Sequence, residues 1–596
     1  MKRLHALALA AALLALPIAT HAQARPYAPG ERAADSAAAL AAFRSNIGAI
    51  HARDRAAYLR HYLQGPRLAR TGPGGVAYGY EGLAGGDPNS WPDTLVATHY
   101  EVVPLAPGVV YGAYRYRVVQ GGSQRGVSER VLVKQADGSW KIAVSTAFGS
   151  PGDVPVPAFA LTGATVVDGT GAAPRANATV VMRGGRIACV GECEIGPDVE
   201  VVDARGKWIV PGLVDAHVHY SQTGWADGRP DALDVRDRFP YDSIVGVLER
   251  EPGRFFRSYL CAGVTATFDV GGYPWTWALR QRAEASNAAP HVAAAGPLLS
   301  TRDHWVNVPA ARQFVHTADD SATRAGARMI VRNESDAVKV WYLVSATSPD
   351  TTKYKALLRA GAEEARRAGV PLIVHATGLW QAKDALRAGA KLLVHSVEDA
   401  PVDDEFLRLA REAGAVYTPT LTVRDGYVML RERRWDPAGV PMECVDPDTR
   451  RKAALTDSIA PAPRTAQTVD PAEYRRRMAA QRELMYANLR RVVAAGIPVA
   501  MGTDAGNPLT LHGASVYREM EAMAEAGMTP MQVLVASTRT AARAMGREDI
   551  GTLETGKLAD LVVLDADPLA SVANLRRVRL VARGGEIWTR EELEYR

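Results

Sequence analysis

The stretch Ile209-Val-Pro-Gly-Leu-Val-Asp-Ala-His-Val-His219 decides how the rest of this chain is interpreted. It predicts a buried strand that ends in two histidines separated by one residue. Because side chains alternate along a strand, His217 and His219 share one face while Val218 turns back into the core. Two imidazoles about 7 Å apart can chelate one metal ion, although histidines also occur as satisfied core residues.

The composition bounds the class of protein. The chain has 596 residues, 47% hydrophobic and 23% charged, as expected for a soluble protein of several domains. The net charge of +5 is small for this length, and no basic run alternates with aromatic residues. We therefore expect no nucleic-acid partner and a small-molecule substrate.

The first residues have the pattern of an export signal. Lys2 and Arg3 precede an apolar run, 4–19, and Ala22-Gln-Ala24 provides a small-residue cleavage site. The run is shorter than the roughly 20 residues of a transmembrane helix. We predict that residues 1–24 are a signal peptide, that the mature protein is periplasmic or secreted, and that no stable membrane span remains after cleavage.

Four cysteines are too few for a disulfide scaffold in a chain this long. Cys189 and Cys193 either pair across a tight turn or are two small, half-buried residues. We expect Cys261 and Cys444 to be unpaired.

Residues 28–150 predict a separate α+β domain. Apolar residues at helical spacing occupy 33–60, and alternating patterns predict strands at 96–103, 109–118, 128–134 and 140–146. The pattern, with Arg53-Asp54…Tyr58 and Gly138-Ser-Trp-Lys-Ile142, resembles the SnoaL-like cone of the nuclear transport factor 2-like fold. No catalytic Asp/Tyr pair is evident in it, so we expect an accessory or dimerisation role and a homo-oligomer.

The remaining chain predicts two further domains. Short strands at 155–210 and 548–592 predict one small β-sandwich built from both flanks, with a hairpin turn at Gly184-Gly185. Between them, at 211–547, strands and helices alternate, which favours an α/β fold, the (β/α)8 TIM barrel. Its predicted strands are 212–217, 266–270, 291–296, 337–341, 372–375, 392–395, 416–420 and 499–504.

Residues able to bind metal stand at the ends of these strands, where such barrels build their active sites. His375 ends the fifth strand, His395 the sixth and Asp504 the eighth. Lys339 interrupts the apolar fourth strand; either it extends out along the wall, or it is a neutral amine able to form a carbamate with carbon dioxide. We favour the carbamate, and this combination predicts a metal site.

These motifs resemble the amidohydrolase superfamily, in its imidazolonepropionase-like and prolidase-type branch. The residues that carry the resemblance are 210–219, Ala262-Gly-Val-Thr265, Lys339, His375, His395, Gly502-Thr-Asp-Ala-Gly506 and 551–560. The resemblance covers about residues 158–592 and leaves the N-terminal domain outside.

The resemblance implies a site with two divalent metal ions, for which zinc is expected. His217, His219 and Asp504 would bind the first ion, His375 and His395 the second, and carbamylated Lys339 would bridge them. It also implies attack by a metal-bridging hydroxide on a carbonyl, with Asp504 as the catalytic base. Imidazolonepropionase and related deaminases lack the lysine of the fourth strand, so Lys339 argues against a deaminase.

Further site candidates come from loops and strand ends. His304 lies where the family has a substrate-loop histidine, or it is a surface residue. Tyr342 either contacts substrate oxygen or simply packs, and His512 either joins the site or belongs to a helix start.

The substrate is the least determined feature. The segment 422–470 predicts a lid, in which a substrate carboxylate could be bound by Arg424, Arg431, Arg433 or Arg434. We expect hydrolysis of a C–N bond, in a dipeptide or an N-acyl amino acid. The alternatives are a lactone, cyclic imide or phosphoester hydrolase with the same site, or a non-catalytic protein that binds a small ligand through its SnoaL-like domain.

Overall fold

The computed structural model describes residues 25–52, 54–72, 75–85, 94–119, 123–149, 158–304, 306–307, 311–344, 351–459 and 470–595. The chain divides into two compact units, Met1–Val154 and Pro155–Arg596. The predicted signal peptide lies outside the described residues. Within those ranges, no helix combines the length and the apolar character that a membrane crossing requires.

The first unit contains a six-stranded sheet and a long helix, Glu31–His51. The helix buries Phe43 and Ile47 against the sheet. The predicted helical stretch 33–60 is interrupted, because Asp54 accepts a hydrogen bond from the Ala57 N–H and starts a second helix. Arg53 is outside the described residues, and the SnoaL-like resemblance stays a prediction. The strands are β1 Ala69–Gly72, β2 Gly75–Tyr78, β3 Thr94–Ala106, β4 Val109–Val119, β5 Ser123–Lys134 and β6 Trp140–Gly149, in the order β2-β1-β6-β5-β4-β3.

The second unit begins and ends in one shared sheet. Its apolar side buries Val180, Ile209 and Val563 together, so strands from both flanks form one core. The predicted Gly184-Gly185 turn has φ values of 57° and 77°, which glycine adopts at no steric cost. The strands are β7 Ala158–Val166, β8 Arg175–Arg183, β9 Arg186–Gly191, β10 Val199–Asp203, β11 Trp208–Pro211, β21 Leu561–Leu564, β22 Val578–Arg583 and β23 Glu586–Thr589.

Parallel strands alternate with helices between these flanks. They are β12 Leu213–Val218, β13 Val264–Asp269, β14 His291–Ala294, β15 Leu298–Ser300, β16 Phe314–His316, β17 Val338–Trp341, β18 Leu372–His375, β19 Leu392–Val394 and β20 Val416–Thr418. One sheet has the order β12-β13-β14 and the other β16-β15-β17-β18-β19-β20. The predicted eighth strand, 499–504, is not a regular strand: only isolated parallel bridges, Tyr417 to Val499 and Val218 to Ala505, connect this part of the chain to β20 and β12. This mixed α/β arrangement is consistent with a TIM barrel.

Helices and short turns complete the unit. The predicted lid segment 422–470 contains helices rather than one long loop, starting with Val423–Glu432. Within the described ranges, the helices are Glu31–His51, Arg55–Arg60, Glu81–Ala84, Tyr241–Arg250, Phe256–Cys261, Thr276–Glu284, Asp320–Arg332, Thr352–Ala368, Leu379–Arg387, Asp404–Ala413, Val423–Glu432, Pro447–Ala454, Pro471–Ala494, Val516–Glu525, Pro530–Val535, Ala541–Ala544 and Arg590–Leu593.

All four cysteines form disulfides. Cys189 and Cys193 pair across their turn. The expectation that Cys261 and Cys444 are unpaired is wrong: they form a disulfide across 183 residues of sequence. Cys261 ends the helix before β13, and Cys444 lies in the lid segment, so only the folded chain brings them together.

Candidate metal centre

Six predicted metal ligands line one cavity at the ends of the parallel strands. His217 lies in β12 and Lys339 in β17, while His375 ends β18. The other three follow directly after a strand or lie in the segment that bridges β20 to β12. The cavity has a volume of about 170 Å³ and is lined by His217, His219, Lys339, His375, His395 and Asp504 together with thirteen other residues.

Asp504 is the centre of the donor set. Its Oδ1 lies 3.2 Å from His217 Nε2 and 3.0 Å from His219 Nε2, and its Oδ2 lies 3.9 Å from His395 Nδ1. One donor atom each of His217, His395 and Asp504 falls within 4.8 Å of the others. The ring of His375 continues the cluster, 4.3 Å from that of His395 between centroids. This spacing permits a common cation.

Neighbouring groups orient these side chains. The Gly271 carbonyl lies 2.6 Å from His219 Nδ1; since a carbonyl only accepts, Nδ1 carries a proton, and Nε2 is the nitrogen that faces Asp504. Thr420 Oγ1 holds His395 Nδ1 at 2.8 Å. The Asn507 side-chain amide donates to Asp504 Oδ1 at 2.7 Å, which fixes the carboxylate.

The backbone is strained at the same place. His395, Thr420 and Asp504 have φ values of 75°, 44° and 64°, a left-handed conformation that non-glycine residues rarely adopt. Such a conformation costs about 1–3 kcal/mol for each residue and persists where the surrounding structure enforces it. Here this conformation directs the side chains of His395 and Asp504 into the cavity.

Burial sets the protonation of the donors. It lowers the pKa of His217 to about 4 and those of His375 and His395 well below the ordinary value. Burial opposes ionisation of Asp504, but His217 and His219 hold its pKa well below the ordinary carboxyl value. At neutral pH, His217, His375 and His395 therefore present neutral imidazoles and Asp504 a carboxylate, the forms that bind metal.

Lys339 is buried in the same cavity wall. Its side chain lies on the opposite face of β17 from those of Val338 and Val340, which face the core. Lys339 is only 2% exposed. Burial lowers the pKa of its amine to about 7, so a large neutral fraction is present near neutral pH. Among the described residues it has no ion pair, which leaves the nitrogen available for chemistry.

The donor set fits divalent metal ions. Imidazole nitrogen and carboxylate oxygen are ligands that zinc and its neighbours prefer. The residues present are thus consistent with a metal centre.

Two predicted catalytic residues lie outside the cavity lining. The ring of His304 stacks on that of Phe314, 4.7 Å away between centroids, and its Nε2 lies 3.6 Å from Asp231 Oδ2. Tyr342 packs against Trp380 instead. Trp341 faces the cavity, and strand alternation turns Tyr342 away from the lining, so a role for Tyr342 in substrate binding stays a prediction.

His512 and most of the lid arginines are engaged elsewhere. His512 lies between Tyr259 Oη at 2.7 Å and the Gln222 carbonyl at 2.9 Å, as a satisfied core histidine does. Of the four candidate arginines, only Arg424 lines the cavity, where it pairs with Glu398. Arg431 lies over Tyr474, Arg433 ends its helix, and Arg434 lines a different cleft.

Local sequence patterns did not indicate several of the residues that line the cavity or support it. Arg229 is paired with Asp231 at 2.7 Å and also donates to Asn507 Oδ1, which receives a second hydrogen bond from Tyr427 at 2.7 Å. Asn507 lies three residues beyond Asp504, and that proximity was its only sequence signal. Arg229 and Tyr427 lie in loops and helices distant in sequence, so no local pattern pointed to them.

Comparison with known proteins agrees with this geometry. The model of the amidohydrolase family matches residues 208–587. The imidazolonepropionase of Streptomyces avermitilis is 27% identical over 423 residues, which are 70% of this chain and 86% of that protein. The N-acyl-D-aspartate deacylase of Alcaligenes xylosoxydans xylosoxydans is 39% identical over 82 residues, 14% of this chain and 16% of that protein.

Solved structures share the fold. A Xaa-Pro dipeptidase with methionine bound in its active site is 21% identical, with a TM-score of 0.56 over 72% of this chain and 100% of its own. The predicted class of enzyme, a hydrolase acting on C–N bonds, is confirmed. Residues 208–587 place this chain in the amidohydrolase family.

Proposed function

We propose that the chain is an exported, binuclear metal hydrolase that cleaves the C–N bond of a small amide carrying a carboxylate, such as a dipeptide or an N-acyl amino acid. The observation that carries the proposal is the cavity at the strand ends, where four histidines, Asp504 and Lys339 all face one space. Relatives named as a deacylase and as a dipeptidase support the choice of bond.

The metal ions are assigned to particular residues in this proposal. His217, His219 and Asp504 would hold one ion, and His375 and His395 the other, with Lys339 bridging as its carbamate. Buried Lys339 has no acidic partner among the described residues, and a carbamate would turn it into the anionic ligand that a second cation needs. When bound, the ions polarise the carbonyl of the substrate and lower the pKa of water.

Side chains of the protein would accept and transfer the proton. The Asp504 carboxylate would accept a proton at Oδ2 and return it to the departing nitrogen, because Oδ1 already accepts a hydrogen bond from the Asn507 side-chain amide. Asn507 is itself fixed by Arg229 and Tyr427, so the carboxylate keeps one orientation.

Charge on the cavity wall supports a substrate with a carboxylate. Arg424 and Glu398 both line the cavity and form an ion pair. Arg424 could exchange Glu398 for the carboxylate of a substrate. The aromatic side chains of Phe314, Trp341 and Tyr427 provide apolar contact beside them.

The proposal extends to the whole chain. Two disulfides support export, because disulfides persist mainly in oxidising compartments. We further propose that 211–547 forms a closed barrel, that the flanking strands form a sandwich, that the first unit is SnoaL-like and that the protein is a homo-oligomer.

A substrate screen tests the reaction. Metal-reconstituted protein is offered dipeptides and N-acyl amino acids beside lactones, cyclic imides and phosphotriesters, with bound metal measured on the same sample. We expect metal-dependent amide hydrolysis. Activity on lactones or phosphotriesters alone would contradict the assigned bond, and less than about one ion per chain would contradict the metal centre.

A matched pair of variants tests the carboxylate site. Arg424→Ala should raise KM about tenfold or more for N-acyl amino acids and change it little for the corresponding primary amides. Arg434→Ala, in a separate cleft, is the control and should leave KM unchanged. Equal effects of Arg424→Ala on both substrate series would exclude Arg424 as the carboxylate ligand.

A further inference from the structure

The interior of the N-terminal unit contains an arginine without an acidic partner among the described residues. Arg130, in β5, is 6% exposed. Its Nη1 donates to Ser128 Oγ at 2.5 Å and to the carbonyl oxygens of Glu129 and Thr146, both at 3.1 Å. Its Nη2 reaches Tyr114 Oη at 3.4 Å, and its buried Nε has no hydrogen-bond partner.

The acidic side chains nearby are engaged elsewhere. Glu129 is next to Arg130 in the strand and faces the opposite side, where it accepts hydrogen bonds from Tyr111 Oη at 2.7 Å and Thr146 Oγ1 at 3.2 Å. Asp35 pairs with Lys134 at 3.3 Å. Neutral oxygens satisfy some of the Arg130 hydrogens but leave its charge uncompensated, which is costly in a protein interior.

Aromatic rings surround this charge. The Arg130 guanidinium lies over the Tyr114 ring at 5.6 Å, and Tyr114 stacks on Tyr100 at 5.7 Å and meets Phe43 at 5.1 Å. The hydroxyl of Tyr62 donates to that of Tyr58 at 2.7 Å. Rings and hydroxyls together resemble the lining of a ligand site more than that of an apolar core.

A second polar group in the same interior is also unsatisfied. Asn46 is fully buried, and within the described residues neither atom of its side-chain amide has a hydrogen-bond partner. It lies one helical turn beyond Phe43, on the helix that packs against the sheet. Two independent unsatisfied polar groups in one small unit need an explanation.

We propose that the N-terminal unit binds a small monoanionic carboxylate with an aromatic or alkyl body, held by the planar fork of Arg130. The fork matches a carboxylate with two parallel hydrogen bonds, and a single negative charge compensates a single guanidinium. The rings contact the body of the ligand, and Asn46 offers it a further donor and acceptor. This site is separate from the metal centre and goes beyond the proposed hydrolysis.

Benzoate and its neutral analogue benzamide test the site on the metal-loaded, full-length protein. Hydrogen–deuterium exchange locates the binding, because benzoate that reaches the metal centre protects other segments. We expect benzoate, and not benzamide, to slow exchange in the peptides of β4 and β5. Equal protection by both compounds, or none in these strands, would overturn the proposal.

Variants make the test specific. Arg130→Met should abolish the protection, and Arg130→Lys, which keeps the charge without the fork, should weaken benzoate binding about tenfold. Arg115→Met, at an exposed position on β4, is the matched control and should bind as the parent protein does. If Arg130→Met does not fold, Arg130→Lys decides; unchanged benzoate affinity in either Arg130 variant would refute the assignment.

Discussion

Single residues at the strand ends determine the chemistry of the cavity. His395 and Asp504 both have left-handed backbone conformations, with φ values of 75° and 64°. Strain of this kind is retained where the surrounding structure enforces it, and here it directs an imidazole and a carboxylate toward a common point. Asn507 adds a hydrogen bond that keeps one oxygen of Asp504 in place.

The role of Asp504 as the base can be tested by a single substitution. Asp504→Asn should lower kcat by roughly 10²–10⁴-fold, because an amide cannot accept the proton that the carboxylate takes. The metal content, measured on the same samples, should remain largely unchanged because the histidines are intact. A variant that keeps most of its activity with full metal content would show that Asp504 is not the base.

The free energy of unfolding should depend on pH through the titration of Glu519. This buried carboxyl on helix Val516–Glu525 accepts hydrogen bonds from Leu421 N at 2.7 Å and Thr422 N at 3.0 Å. Burial raises its pKa from the ordinary 4.5 to about 7, so the folded protein binds a proton that the unfolded chain releases. Its contribution, about 3 kcal/mol, is complete below about pH 4.5 and is lost as the pH rises through about 7.

Denaturant unfolding at pH 5 and pH 8 checks this, with Glu519→Gln as the comparison. Glutamine does not ionise, so the free energy of unfolding of the variant should fall less between these pH values than that of the parent protein. The change in the free energy of unfolding between the two pH values is compared, rather than its absolute value, because the glutamine NH2 group changes the hydrogen bonds. Parallel pH profiles would show that Glu519 does not titrate in this range.

At the scale of elements, the lid segment is tied to the rest of its unit. Its first helix, Val423–Glu432, brings Arg424 and Tyr427 to the cavity. The Cys261–Cys444 disulfide joins the segment covalently to the helix that precedes β13. The cavity wall is thus held by packing and by a covalent bond.

The two disulfides should differ in their contribution to stability. Cys261 and Cys444 are 183 residues apart, whereas Cys189 and Cys193 are 4 apart, and a longer closed loop restricts the unfolded chain more. The double variant Cys261→Ala/Cys444→Ala should lower the free energy of unfolding by about 2–4 kcal/mol. Cys189→Ala/Cys193→Ala is the matched control with a smaller loss; an equal or larger loss there would contradict the loop-length argument.

At the scale of the whole molecule, two compact units share one chain. The candidate metal centre lies in the second unit, and Arg130, which has no acidic partner among the described residues, lies in the first. Each unit therefore has its own buried polar cluster.

Export is a prediction about the whole chain. Expressed in full in a bacterial host, the protein should leave the cytoplasm with Arg25 as its first residue, measured by intact mass and N-terminal sequencing. Ala24→Arg should block processing, because the cleavage site needs a small residue there, whereas Gln23→Leu should not. A cytoplasmic protein that retains Met1 would exclude the signal peptide.

The local sequence pattern was enough to name six residues that line the cavity. His217, His219, Lys339, His375, His395 and Asp504 were all recognisable because alternation and strand order are local properties, and parallel strands end at one edge. The bounds of β12, β17, β18 and β19 agree with the predicted strands to within two residues. Local apolar patterns determine these features before any long-range contact forms.

Only the tertiary structure decided what depends on contacts between distant segments. The pairing of Cys261 with Cys444 and the wall formed by Arg229 and Tyr427 have no local sequence signal. Each depends on how separate elements pack, and packing joins residues hundreds of positions apart that no periodicity relates. Sequence thus determined which groups could bind metal, and the fold decided which side chains face them.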